Sequence, residues 1–256
     1  MTEDYRNTIF NEDCSTGLDR IPNGSIDLVM MDPPYKLVRI DGRGSFGSNN
    51  RGYYDELSEI RDGITDELLD KIVSKMKKIN LYVWCNKEQI YQYLRYFENR
   101  GGYSMDVLTW HKTNPIPTCS NKYLSDTEYC LFFREKGVKL YGSYETKHKY
   151  YVSSLNTNDK RMYDHPTIKP LDFVKALVGN SLPPKDAEHV PIVLDPFMGS
   201  GTTAVAAKQL GYDFVGFEIV EDYCNTARQR VDATPIPGNV ATAPVVKGIE
   251  EWGVTF

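Results

Sequence analysis

Residues 192–218 read IVLDPFMGSGTTAVAAKQLGYDFVGFE. The apolar run Ile192–Asp195 has the length of a strand and ends on an acid. Gly199, Gly201 and Ala204 then satisfy G-x-G-x-x-G/A, a spacing that turns a strand into a helix and lets backbone approach a nucleoside ligand. Thr202–Leu210 reads as the helix, ended by Gly211, and Phe214–Glu218 as the next strand. Glu218 ends that strand nineteen residues after Gly199, where its carboxylate can accept from ribose hydroxyls. A hydrogen bond to a charged acceptor contributes about 1.5–3 kcal/mol, enough to orient a ligand. Alone, this strand–helix–strand unit suits a nicotinamide dinucleotide as well as any other adenosine-bearing cofactor, and a tight turn that binds nothing carries the same glycines.

Outward from this unit, strand and helix periods alternate along the chain. The expected fold class is therefore α/β, a Rossmann-like, mixed but mostly parallel, doubly wound sheet with helices on both faces. Strands are expected near Thr8–Phe10 and at Ser25–Met31, Leu81–Cys85, Tyr103–Trp110 and Glu128–Arg134. Thr65 is an N-cap with Asp66 and Glu67 in the first turn, and Leu69, Ile72, Val73, Met76 and Ile79 form one apolar stripe. A second helix starts with Asn86 as cap and Gln89 at its third position, and stops at Gly101-Gly102. Pro170–Asn180 and Val220–Val231 complete the helices. Residues 41–54 and 111–125 read as loops, and from Gly137 to Thr167 no period survives.

The 256 residues fit one domain over 1–232, followed by a Pro-, Ala- and Val-rich extended tail over 233–256. No apolar run approaches the roughly 18 residues of a membrane span, and the opening Met-Thr-Glu-Asp-Tyr-Arg is no secretion signal. Five scattered cysteines (Cys14, Cys85, Cys119, Cys130, Cys224) without a C-x-x-C pair point to a reducing, cytoplasmic setting and to no structural metal. Net charge is −5, yet residues 111–169 hold ten Lys or Arg against six acids. A basic third in an acidic chain is where an anion would dock.

Two further motifs carry chemistry. Asp32-Pro33-Pro34-Tyr35 follows the strand IDLVMM. Consecutive prolines supply no N–H and end the ladder, leaving a rigid shelf. On it Asp32 and the Pro33 carbonyl can accept the two hydrogens of a planar amine while Tyr35 stacks on its ring. A plain strand-ending turn could use the same residues, but this one and the glycine turn both follow the carboxyl ends of strands, where open α/β sheets bind ligands. His165-Pro166-Thr167-Ile168-Lys169-Pro170 opens a helix, and Thr167 with Lys169 there makes an anion cradle.

D-P-P-Y, then H-P-T-I-K-P, then D-P-F-M-G-S-G-T-T with Glu218 resembles the amino-methyltransferases of DNA, in the motif order of their circularly permuted β group. The lead-in NEDCSTGLDRIPNGSIDLVMMDPPY, LTWHKTNPIP (Leu108–Pro117) and TEYCLFFR (Thr127–Arg134) are similar to that family too, so the likeness runs over about residues 8–232. It implies S-adenosyl-L-methionine as cofactor, held by Asp195, Phe197, Gly199, Ser200, Gly201, Thr202 and Glu218, with Asp32 beside it. Asp195 would face the methionine ammonium, and Thr167 and Lys169 the carboxylate. Asp32, Pro33, Pro34 and Tyr35 would form the catalytic site for the target amine, with no metal. The leading aspartate favours N6 of adenine over N4 of cytosine, which stays the alternative. The substrate implied is double-stranded DNA, with recognition segments at 36–60 and 111–164 as a small insertion. The resemblance also admits a homodimer and a cognate restriction endonuclease, with no membrane partner.

Overall fold

The central strands pair within the interior because their nearly continuous apolar runs give each one two faces to bury. The computed structural model describes residues 5–35, 63–115, 117, 121, 123–155, 168–184 and 189–235. Among these, the strands are β1 (Thr8–Phe10), β2 (Leu28–Met31), β3 (Asn80–Cys85), β4 (Tyr103–Lys112), β5 (Thr127–Glu135), β6 (Tyr150–Ser153), β7 (Ile192–Asp195) and β8 (Asp213–Phe217). They form one sheet in the order β1-β8-β7-β2-β3-β5-β4-β6. Every pairing is parallel except those of β5, which runs against both β3 and β4.

The helices are α1 (Cys14–Gly17), α2 (Asp66–Lys75), α3 (Ile90–Glu98), α4 (Leu171–Ser181), α5 (Thr202–Leu210) and α6 (Glu221–Ala233). Buried residues fall into two clusters, one on each side of the sheet. Leu28 and Met30 of β2 join α4, α5 and α6, while Val29 and Met31 join α1, α2 and α3. The doubly wound α/β expectation therefore holds. Aromatic rings fill much of both layers: Phe97 of α3 stacks on Phe133 with centroids 4.0 Å apart, and Tyr82 on Phe132 at 4.1 Å.

From β7 the chain passes through α5 to β8 on one side, and from β2 through α2 to β3 on the other. The boundary between β7 and β2 is thus the switch point of the sheet. There Val29 sits opposite Leu194 in parallel register, so Asp32 and Asp195 leave the same edge on adjacent strands.

Some boundaries differ from the expectation. The helix capped by Thr65 ends at Lys75 rather than running on to Ile79, because Met76 turns into a parallel bridge with Ile26. Met76 and Ile79 still pack into the core that their stripe requires. The strand expected from Ser25 begins at Leu28, with Ile26 contributing only that bridge. The stretch 137–167, without a readable period, contains β6, a half-buried edge strand whose four residues are too few to show alternation. Segment 111–164 is therefore partly sheet, since β5 and β6 lie within it. Helix α6 runs to Ala233, two residues beyond the expected end. The loop at 41–54 and nearly all of the tail lie outside the described residues.

Candidate active site

The glycine turn is braced from α6. Gly201 caps α5 with φ 85°, a conformation that favours glycine, and a Cβ there would come within 2.9 Å of the Ala227 Cβ. Close approach of α5 to α6 is thus a second reason for this glycine. Arg230, buried on α6, donates to the Ser200 carbonyl at 2.5 Å, to Ser200 Oγ at 2.9 Å and to Thr202 Oγ1 at 3.4 Å. The Ser200 and Thr202 hydroxyls expected to meet a cofactor are therefore engaged by Arg230.

Two carboxylates border this turn. Glu218, at the end of β8, accepts from the Gly199 N–H at 2.7 Å and the Val220 N–H at 2.9 Å. Burial pushes its carboxyl up, partly offset by those N–H groups. Asp195, at the end of β7, accepts from the Phe197 N–H at 3.0 Å. Burial raises the Asp195 carboxyl to about 7; a hydrogen bond from Thr203 offsets this in part, while the Asp32 and Glu218 charges add to it. A turn lined by buried carboxylates whose ionisation is costly is suited to a cationic ligand.

The D-P-P-Y shelf lies one strand away. Gln89, fully buried, accepts from the Asn86 N–H at 3.2 Å, while Asn86 Oδ1 accepts from the Gln89 N–H at 3.1 Å, the reciprocal pair expected of a cap, here in the turn before α3, which begins only at Ile90. Its remaining amide hydrogens reach the Pro34 carbonyl at 3.2 Å, so the cap also pins the shelf. Cys85, at the end of β3, has its thiol pushed up to about 12 by burial and the nearby Asp32, which rules it out as a neutral-pH nucleophile.

Asp32 ends in a chain of charges. Lys169 Nζ contacts Asp32 Oδ2 and lies 3.4 Å from Glu128 Oε2, and Lys112 Nζ lies 2.5 Å from Glu128 Oε1. The Tyr35 hydroxyl donates to Glu128 Oε2 at 3.4 Å. Lys169 also sits 5.1 Å from the Trp84 ring centroid and 5.4 Å from that of Tyr35. Side-chain exposures of 8% for Lys169, 14% for Lys112 and 16% for Glu128 mean that these charges depend on one another rather than on water. Lys169 and Lys112 hold the Glu128 carboxyl below its usual range despite burial. Asp32, with only a share of one ammonium, is pushed up by burial. The two carboxylates keep Lys169 protonated, against the pull of burial.

Of the residues expected from the sequence, Asp195, Phe197, Gly199, Ser200, Gly201, Thr202 and Glu218 lie in or beside the glycine turn after β7, and Asp32, Pro33, Pro34 and Tyr35 follow the adjacent strand β2. Lys169 stands against Asp32 and Glu128, while Thr167 and His165 lie outside the described residues. So do Lys36, Arg39, Arg43, Arg51, Lys160 and Arg161 of the expected DNA-facing segments. Within 111–164, Lys112 is buried in the charge chain. Lys136 and Lys139 follow the far end of the antiparallel β5, at the edge away from Asp32. Sequence reading missed Lys112, Glu128 and Arg230. For Lys112 and Glu128 the available signal was a pair of opposite charges at the two ends of the β4–β5 connection; nothing local marked Arg230. Among the described residues no group of His, Cys, Asp or Glu could hold a metal, and no helix is long and apolar enough to cross a membrane.

Comparison with known proteins agrees with this geometry. Residues 26–229 match the N6/N4 methyltransferase family, described as DNA methylase. The chain is 28% identical to the type II methyltransferase M.HinfI of Haemophilus influenzae, over 93% of this chain and 72% of that one. It is also 28% identical to the type II methyltransferase M2.DpnII of Streptococcus pneumoniae, over 91% and 94%. Among solved structures, the M1.HpyAVI–SAM complex superposes with a TM-score of 0.64 at 23% identity, covering 87% of this chain and 98% of that one. The cytosine-N4-specific PvuII DNA methyltransferase does so with 0.65 at 16% identity, covering 92% and 88%.

Arg230→Met should strip the glycine turn of its brace and leave buried Ser200 oxygens unpaired. A loss of about 2–4 kcal/mol is expected, seen as a fall of roughly 5–15 °C in melting temperature, measured by calorimetry on the ligand-free protein.

Proposed function

The chain belongs to the N6/N4 family of DNA methylases, and from that premise we propose that it transfers a methyl group from S-adenosyl-L-methionine to the N6 amine of adenine in double-stranded DNA. The observation that carries this is the pairing, across the β7–β2 switch point, of a carboxylate-lined glycine turn with a rigid Asp-Pro-Pro-Tyr shelf. The aspartate heading that shelf supports adenine, since the resemblance of D-P-P-Y associates it with adenine enzymes more than with cytosine ones. The solved complex of M1.HpyAVI with SAM supports the cofactor.

The glycine turn fits this cofactor on its own chemistry. Asp195 and Glu218, buried and raised, are placed for an ammonium and a ribose diol, and Phe197 lies between them in sequence, half-buried at the rim. When bound, S-adenosylmethionine supplies an electrophilic methyl group on a positively charged sulfur. Asp32 and the Pro33 carbonyl accept the two amine hydrogens, favouring a pyramidal nitrogen whose lone pair is available. Once methylated, that nitrogen must shed one proton, and the raised Asp32 carboxyl is the nearest base for it. Tyr35 offers its ring to the flipped base. Stacking of this kind is worth about 1–3 kcal/mol, comparable with the few kcal/mol that flipping costs. The chain's contribution is thus positioning and electrostatics without a covalent intermediate.

Methyl transfer from labelled S-adenosylmethionine to mixed-sequence duplex DNA, followed by nucleoside mass spectrometry, should yield N6-methyladenine. N4-methylcytosine instead would overturn the adenine assignment, and no methylated base would overturn the function. In the same assay Asp32→Ala should lower transfer by at least about 100-fold while cofactor affinity, by calorimetric titration, stays within a few-fold of wild type.

Asp195 gives a second test. Because its carboxyl is raised to about 7 in the folded chain, the uncharged form stabilises the fold in acid. That contribution is lost as pH rises through about 7. A bound ammonium needs the ionised form, so cofactor affinity should weaken as pH falls below about 7, by up to about tenfold per unit. Asp195→Asn should flatten that dependence, weaken binding at pH 8, and raise the melting temperature of the ligand-free protein at pH 8.

A further inference from the structure

Resting on the role given to Asp32 above, we propose that Glu128, pinned by Lys112, is a positioning residue for methyl transfer. It shares the Lys169 ammonium, which stands nearer to Asp32, and so keeps Asp32 available to the target amine. Neither Glu128 nor Lys112 belongs to the D-P-P-Y shelf or to the glycine turn. The antiparallel β4–β5 pair brings them to it, with Trp110 opposite Glu128 in register.

Charge alternates along the row Lys112, Glu128, Lys169, Asp32, and each inner member is shared between two neighbours. Both Glu128 oxygens are occupied, Oε1 by Lys112 and Oε2 by Lys169 and the Tyr35 hydroxyl. Glu128 therefore fixes both the ammonium facing Asp32 and the far end of the ring meant for the base. Without it, Lys169 would serve Asp32 alone. A carboxylate engaged that way is a weaker acceptor for an amine hydrogen and a weaker base for the proton released after transfer. With Glu128 ionised, the ammonium is divided. Among the described residues, the other titratable groups that act on Asp32 are Tyr35 on its own loop, Cys85 at the end of β3, Tyr93 on α3, Cys130 on β5 and Asp195 at the end of β7. None of these is a second cation. The partition of Lys169 is thus the main lever on Asp32, and Glu128 holds the other end of it.

The experiment is the pH dependence of kcat/KM for duplex DNA, at saturating S-adenosylmethionine so that Asp195 is engaged throughout, by Glu128→Gln and Lys112→Met, alongside wild type and Asp32→Ala. The acid limb then reports the essential base of the cofactor-bound protein before DNA binds. Glu128→Gln removes a negative charge and should move that limb down by about 1 pH unit, with the plateau kcat lowered roughly 10- to 100-fold by misplacement of Lys169 and Tyr35. Lys112→Met removes a positive charge and should move the limb up by a similar amount. Cofactor affinity, titrated directly, should stay within about threefold for both, since neither residue lines the glycine turn. Glu128→Asp, which keeps the charge on a shorter arm, should keep the limb and lower only the plateau; it serves where either other variant folds poorly. A purely structural role predicts lower folded fractions with superimposable limbs, and that result overturns the proposal. Should Asp32→Ala transfer at the wild-type rate, the role of Asp32 itself fails. An inactive Asp32→Ala with unshifted limbs in the other variants sinks only the role of Glu128.

Discussion

Everything at this site follows from the parallel register of β2 against β7. With Val29 opposite Leu194, Asp195 is one residue past the last paired position on its strand and Asp32 three past it on the other. At roughly 3.3 Å rise per residue and 4.8 Å between strands, the two acids leave the sheet on the order of 8 Å apart. In the proposed reaction that spacing lets the turn after β7 hold the cofactor and the shelf after β2 the target amine. The opposite directions taken by the two crossovers leave the edge between them uncovered by either connection. A one-residue slip would exchange the faces of every β2 side chain and send Leu28 and Met30 into the wrong layer. The hydrophobic pattern therefore protects the register that sets the two acids side by side.

That geometry carries an electrostatic cost. Asp32, Asp195 and Glu218 converge at one buried edge and each is raised by burial. Different devices contain the cost at each. Glu218 has two backbone N–H donors and Asp195 has Phe197 N–H and Thr203, whereas Asp32 has a lysine. Neutral donors leave a carboxylate ready to prefer a cationic ligand over its resting partners. A lysine of its own would remove that readiness from Asp32, so the sharing of Lys169 with Glu128 matters more than the existence of the pair.

The strand–helix–strand unit at 192–218 was legible because each local signal agreed: strand length, glycine spacing, helix period and the terminal acid. The Asn86–Gln89 cap and the stripe on α2 were legible for the same reason, since both depend on residues three or four apart. What could not be read from the chain was long-range partnership. Lys169 was expected at the carboxylate end of the cofactor, whereas the structure sets it against Asp32 and Glu128, which lie 137 and 41 residues away. Lys112 and Glu128 counted toward basic and acidic totals in a presumed recognition segment, although they neutralise each other in the interior. Charge counting along a chain assumes exposure. Four residues of β6 were lost because an edge strand buries neither face fully, so its alternation fades into the surrounding tyrosines and lysines.

Two of the basic residues at the site, Arg230 and Lys169, act on different parts of it. Arg230 binds backbone and hydroxyl oxygens of the glycine turn, all neutral, so its effect is on shape. Lys169 pairs with two carboxylates, so its effect is on charge. An arginine suits the first task because its planar fork satisfies several fixed acceptors at once, and a lysine suits the second because its ammonium can be divided between two anions by small rotations. Exchanging the two types would leave the turn underbraced and would fasten a rigid fork onto Asp32. The cofactor rim is accordingly built to be stiff, and the amine rim to let one charge be redistributed when a base arrives.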